Sequence, residues 1–131
     1  MSDQPSTPDQ KPDVVALRPF LPATDYEASV NFYRDLGFTI RPLGDDLASV
    51  HLGPFAFLLQ KFQAENYANN YMMHLSVNDL DTWWKHIESL NLAAKYDVRP
   101  PTAPALQPWG LIVSYVVDPS GILWHFAQYR A

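Results

Sequence analysis

Two stretches of this chain repeat one another at a fixed spacing. Thr24-Asp25 matches Asn78-Asp79, Leu36 matches Leu90 and Phe38 matches Leu92, each pair 54 residues apart. Gly37 meets Asn91, and Gly and Asn are the residue types that most readily close a helix in the left-handed conformation. A lone leucine match arises by chance, whereas matched helix starts, helix ends and flanking strands mark a duplication. Such a repeat narrows the fold, because each copy must bury the same face of the same elements.

Local patterning supplies the elements. Val14 to Leu21 reads as a first strand, with Val15, Leu17, Pro19 and Leu21 on one face and Ala16, Arg18 and Phe20 on the other. Pro19 lacks a donor, which places the strand at an edge or at a point where pairing changes. Thr24 with Glu27 forms a capping box, Tyr26, Val30 and Tyr33 give a helical apolar stripe, and Gly37 ends it. Three strands are expected at Phe38–Leu43, Leu47–Leu52 and Phe55–Phe62, and Gln63 to Asn70 is a polar linker.

The second unit opens on an alternating strand, Tyr71 to Val77, with Met72, His74 and Ser76 on one face. Asn78 and Asp81 start a second helix, whose apolar side holds Leu80, Trp83, Trp84, Ile87 and Leu90. A weak strand over Ala93 to Val98 leads into a Pro-rich loop, Arg99 to Pro108. The closing hairpin turns at Asp118-Pro119-Ser120-Gly121, where Pro pre-sets φ and Gly tolerates the last position. Its final strand sends Ile122, Trp124 and Phe126 one way and Leu123, His125 and Ala127 the other.

Each unit is therefore strand, helix and three strands, giving an α+β fold of two βαβββ units, residues 14–62 and 71–128. The helix of each unit covers the sheet face richer in Val, Leu and Ile. The opposite face, carrying Arg18, Phe20, Met72, His74 and His125, is left open to a ligand.

With 131 residues, 47% of them apolar, the chain is expected to form one domain over 14–131, behind a polar, Pro-rich and disordered tail, Met1 to Asp13. The net charge of −5 argues against nucleic acid or an anionic membrane as partner and suits a cationic ligand. The absence of Cys removes disulfides and thiolate metal sites. With no signal peptide and no long apolar run, the expectation is a soluble, cytoplasmic protein. Four Trp and an aromatic content of 14% point to an aromatic-lined pocket.

These features resemble the glyoxalase/bleomycin-resistance family of the vicinal oxygen chelate superfamily. The resemblance rests on the paired units, on the helix end Asn31-Phe32-Tyr33-Arg34-Asp35-Leu36-Gly37-Phe38, and on the segment from Gln107-Pro108-Trp109-Gly110 to the Asp118-Pro119-Ser120-Gly121 turn. It spans Val14 to Gln128, and the Gln-Pro-Trp-Gly loop followed by His125-Phe126-Ala127 is most similar to the bleomycin-resistance branch. It implies cupped sheets around a cleft completed in a homodimer, with Gln63 to Asn70 routing any exchange of units. The family's metal-ligand positions fall here on Arg18, Leu58 or Gln60, Met72 and His125. Arg repels a cation and Met is a soft ligand, so no metal or other cofactor is expected. A shifted trio of Gln60, His74 and His125 lacks an anionic member. No Glu occupies these positions, which removes the usual general base and with it the expectation of catalysis.

The resemblance thus implies metal-independent binding of a bulky, aromatic, cationic small molecule, as in sequestration of bleomycin. Together with the open strand face and the Trp109 loop, it gives the candidate ligand residues Arg18, Phe20, Gln60, Met72, His74, Trp109 and His125. The alternatives are a metal-dependent lyase, transferase or dioxygenase on the same scaffold, and a domain of unknown ligand. Trp109 joins the cleft because an indole in a loop, flanked by Pro108 and Gly110, is costly to expose without a partner. Trp83 and Trp84 read as helix-to-sheet packing, His86 as a surface residue, and Asp45 and Asp46 as turn residues. His51 is a strand residue with no partner that the sequence identifies.

Overall fold

The structure, a computed structural model, describes residues 11–63 and 71–129. The first unit runs β1 (Phe20–Ala23), α1 (Tyr26–Leu36), β2 (Thr39–Pro42), β3 (Leu47–Leu52) and β4 (Phe55–Lys61). The second runs β5 (Met72–Ser76), α2 (Leu80–Ser89), α3 (Leu92–Tyr96), β6 (Ala105–Leu106), β7 (Leu111–Val117) and β8 (Leu123–Tyr129). Their sheets have the same order, β1-β4-β3-β2 and β5-β8-β7-β6. In each, the first strand pairs parallel with the last and the remaining pairs are antiparallel. The repeat in the sequence is thus a repeat of topology. Of the expected tail, only residues 11–13 are among those described, and of the expected linker only Gln63.

Both helix starts sit one residue later than the capping pattern suggested, and they shift together. Asp25, not Thr24, caps α1 by accepting from the Ala28 N–H at 3.1 Å. Asp79, not Asn78, caps α2 by accepting from the Thr82 N–H at 3.1 Å. The 54-residue offset survives the correction. Thr24 instead donates its N–H to Ser120 Oγ at 3.0 Å, tying the first unit to the closing turn. At the end of α1, Gly37 takes φ 110°, its N–H reaches Arg34 O, and Phe38 N–H reaches Tyr33 O. This is a Schellman closure, completed by the Phe38 ring against Tyr33 at 5.7 Å. Asn91 occupies the matching left-handed position with φ 55°.

Two expected strands differ. The first begins only at Phe20, and Val15 and Leu17 are 100% and 95% exposed. Pairing with β4 starts where Leu58 N–H meets Pro19 O. Pro19 has no N–H to carry the ladder further back, so the alternation upstream finds no partner. The segment expected as a strand over Ala93 to Val98 is helical through Tyr96. Ala93, Ala94 and Lys95 are good helix formers, Leu92 is buried, and Lys95 anchors the turn on Asp35 of α1 at 2.6 Å.

The core joins the units through Trp124. Its indole packs 5.7 Å from Tyr33, 5.6 Å from Phe38 and 5.6 Å from Phe57, all residues of the first unit. Trp124 Nε1 donates to the Tyr33 hydroxyl at 2.9 Å, and that hydroxyl donates to Asp118 Oδ2 at 2.6 Å. Asp118 Oδ1 accepts from the Ser120 and Ile122 N–H groups, each at 2.9 Å, which fixes the expected turn. Burial pushes the Asp118 carboxyl up to about 6, although these hydrogen bonds oppose the shift. Trp83 packs on Phe126 at 5.2 Å, as helix-to-sheet packing requires.

Candidate functional site

The strand face turned away from the helices forms a cleft in the second unit. Pairing across β5, β8 and β7 aligns Met72 with Leu123 and Val117, and His74 with His125 and Tyr115. Met72, Leu123, Val117, His125 and Tyr115 make the floor of a cleft of about 440 Å³. Its walls come from loops. Trp109 stands on the turn before β7, where Gly110 at φ 95° donates to Gln107 O and Gln107 N–H reaches Leu111 O. Arg99, Pro100 and Thr102 come from the Pro-rich segment before β6. Thr102 pins that segment to β7, since its N–H donates to Tyr115 O at 3.1 Å and its Oγ1 accepts from Tyr115 N–H at 2.9 Å.

The cleft is aromatic and carries little charge. The Tyr115 and His125 rings meet edge-on at 4.9 Å, and His74 lies 6.0 Å from His125. Partial burial and the neighbouring His74 lower the pKa of His125, so it is neutral at neutral pH. Arg99 brings the one full charge among the lining residues. A cationic ligand, which the overall charge suggests, finds no carboxylate in this wall.

The candidates read from the sequence are therefore divided. Met72, Trp109 and His125 come together in the cleft, with His74 beside His125. Phe20 and Gln60 lie on the first sheet, paired with Leu58 and with Pro22 and Leu47 respectively, and Arg18 precedes β1. The sequence reading missed Arg99 and Tyr115. Tyr115 was within reach by counting outward from the Asp118 turn to its partner His125, whereas Arg99, a loop residue, leaves no periodic signal. His51 does have a partner, Ser49 Oγ at 2.8 Å, and its pKa is lowered by desolvation and by the charges of Arg41 and Arg18. His86, though exposed, contacts Leu36 O through Nε2 at 3.1 Å and so ties α2 to the end of α1.

Metal-dependent members of the resembled family imply a divalent ion held by residues of both units. The positions matched from the resemblance are Arg18, Leu58 or Gln60, Met72 and His125, and the ladder sets His125 beside His74 and Leu58 beside Phe20. A guanidinium, a thioether and a single imidazole, with an isobutyl group or a neutral amide as the fourth member, do not fit a hard cation. Among the described residues, no three His, Cys, Asp or Glu are grouped to hold one.

A second cavity of about 300 Å³ lies between the units, where Phe38, Leu52, Phe55 and Phe57 face Met73 and Trp124. His74 and Ser76 are its polar members, so it offers fewer anchors for a ligand than the Trp109 cleft. Among the described residues, no helix is long and apolar enough to cross a membrane.

Solved structures share this architecture. A bleomycin-binding protein complexed with bleomycin is 24% identical with a TM-score of 0.76, over 89% of this chain and 100% of that one. A bleomycin resistance determinant encoded on the transposon Tn5 is 22% identical with a TM-score of 0.73, over 90% and 100%. The bleomycin-binding protein of bleomycin-producing Streptomyces verticillus, complexed with copper(II)-bleomycin, is 26% identical with a TM-score of 0.70, over 92% and 100%. No curated protein matches the chain. The family model of the Glyoxalase/Bleomycin resistance protein/Dioxygenase superfamily matches residues 13–126, and the chain belongs to that superfamily.

Proposed function

We propose that this protein binds a bulky small molecule with a planar aromatic part, without a metal, and sequesters it as the bleomycin-binding neighbours bind bleomycin. The observation that carries the reading is Trp109, 57% exposed yet held over a floor of Met72, Tyr115 and His125. An indole so placed stacks on a planar ring, worth about 0.5–1.5 kcal/mol beyond the area it buries. Withholding a drug from its target needs no covalent step, which agrees with a cleft lacking a carboxylate base. The proposal includes a homodimer in which a second copy covers the open faces, where Phe20 and Met72 are also exposed.

Trp109→Ala tests both parts. We expect calorimetry with bleomycin, and with planar aromatic probes, to show affinity lowered several-fold at an unchanged melting temperature, and light scattering to show a dimer at micromolar concentration. A large fall in melting temperature would make Trp109 a structural residue. A monomer would remove the shared cleft.

A further inference from the structure

The chain has 14 acidic and 9 basic side chains, yet the wall of its aromatic cleft carries the opposite sign. Four acidic groups are engaged elsewhere: Asp25 and Asp79 cap α1 and α2, Asp35 in the last turn of α1 holds Lys95, and Asp118 is buried against Tyr33. Asp97, two residues before Arg99, takes a left-handed backbone conformation and is not part of the cleft wall. Arg99 itself is exposed and has no hydrogen-bond or ion-pair partner among the described residues. It is nevertheless held in place. Pro100 and Pro101 stiffen the chain beside it, and Thr102 fastens that chain to Tyr115, on the cleft floor. A guanidinium presents a planar fork of donors matched to an oxyanion, and it cannot lose its proton.

We infer that the Trp109 cleft takes a planar aromatic acid, its ring against Trp109 and Tyr115 and its carboxylate or sulfonate on Arg99. The inference rests on the cleft being the ligand site and adds the charge of the ligand. Apolar Val117 and Leu123 suit the body of such a molecule, and the neutral His125 leaves Arg99 as its charged anchor.

Two probes with one ring system isolate the charge: 8-anilinonaphthalene-1-sulfonate and N-phenyl-1-naphthylamine, which lacks the sulfonate. Binding is read by fluorescence titration on the full chain. The wild type should bind the sulfonate about tenfold more tightly, the value of one charge-assisted contact. Arg99→Gln should erase that ratio and Arg99→Lys should keep part of it, since Arg99 is exposed and its replacement leaves the fold intact. Equal affinities in the wild type, or a ratio untouched by Arg99→Gln, overturn the inference. Trp109→Ala separates the two readings. If it weakens both probes while the wild type shows no preference for the sulfonate, only the acid is lost. If it weakens neither, the cleft and the acid fall together.

Discussion

The open faces of the two sheets share one ladder and carry different chemistry. In the first unit the row across β1, β4, β3 and β2 is Phe20, Leu58, Ser49 and Arg41. In the second, the corresponding row across β5, β8 and β7 is His74, His125 and Tyr115. The faces turned to the helices are alike, with Leu21 and Leu59 buried in one and Trp124 and Phe126 in the other. Alternation along a strand uncouples its two sides, so one side can keep the fold while the other diverges. The connections diverge as well. The first unit passes from Gly37 through Phe38 straight into β2, whereas the second inserts α3 and a Pro-rich segment before β6. That insertion delivers Arg99 and Thr102, and the cleft of about 440 Å³ forms where it lies.

The largest effect is expected from removing what the units share. Trp124 belongs to the second unit but packs on Tyr33, Phe38 and Phe57 of the first. Trp124→Ala should cost about 4 kcal/mol and leave a single urea transition. Two resolved transitions would show that the units unfold as separate bodies.

Asp118 makes the tie between the units depend on pH. Its folded pKa of about 6 lies above the ordinary 3.8, so the folded chain keeps this proton where the unfolded chain has released it. The contribution is complete below pH 3.8 and is lost as pH rises through 6, by about 3 kcal/mol in all. Asp118→Asn should flatten the fall in stability across that window, measured by denaturation at pH 4 and pH 7. An unchanged slope would put the pH-sensitive tie between the units elsewhere.

The smallest effects come from the mirrored caps. Gly37→Ala forces a side chain into φ 110° and should cost about 1 kcal/mol. Asn91→Gly relieves the same constraint at φ 55° and should gain a few tenths of a kcal/mol, read as opposite shifts in melting temperature. Shifts of the same sign would mean that the two caps are equivalent in geometry alone.

Much of this architecture was legible because it is written in local chemistry. The β3 bounds, the Asp-Pro-Ser-Gly turn, the Gly37 and Asn91 closures and the 54-residue offset all depend on residues close in sequence. What failed depends on a partner. Val14 to Pro19 alternates like a strand, but alternation does not say whether a neighbouring strand can reach past Pro19. Met72 and His74 share a face, and a period of two fixes the face without choosing the row. The pairing of His74 with His125, and of Met72 with Leu123, adds the rows that alternation leaves open. Asp118 read as a turn residue because its bond to Tyr33 spans 85 residues. Arg99 reaches the cleft through a loop whose course is set by Thr102 on β7.

Parallel closure has a consequence for synthesis. β8 lies inside its sheet, between β5 and β7, and brings Trp124 to rings of the first unit. On the ribosome, the first unit emerges with Tyr33, Phe38 and Phe57 ahead of Trp124, and those rings wait for an indole encoded some sixty residues beyond Lys61. At the usual 5–20 residues per second the delay is about 3–12 s. For that interval the three rings lack the indole that packs on them, and completion of this core is timed by the translation of a single strand.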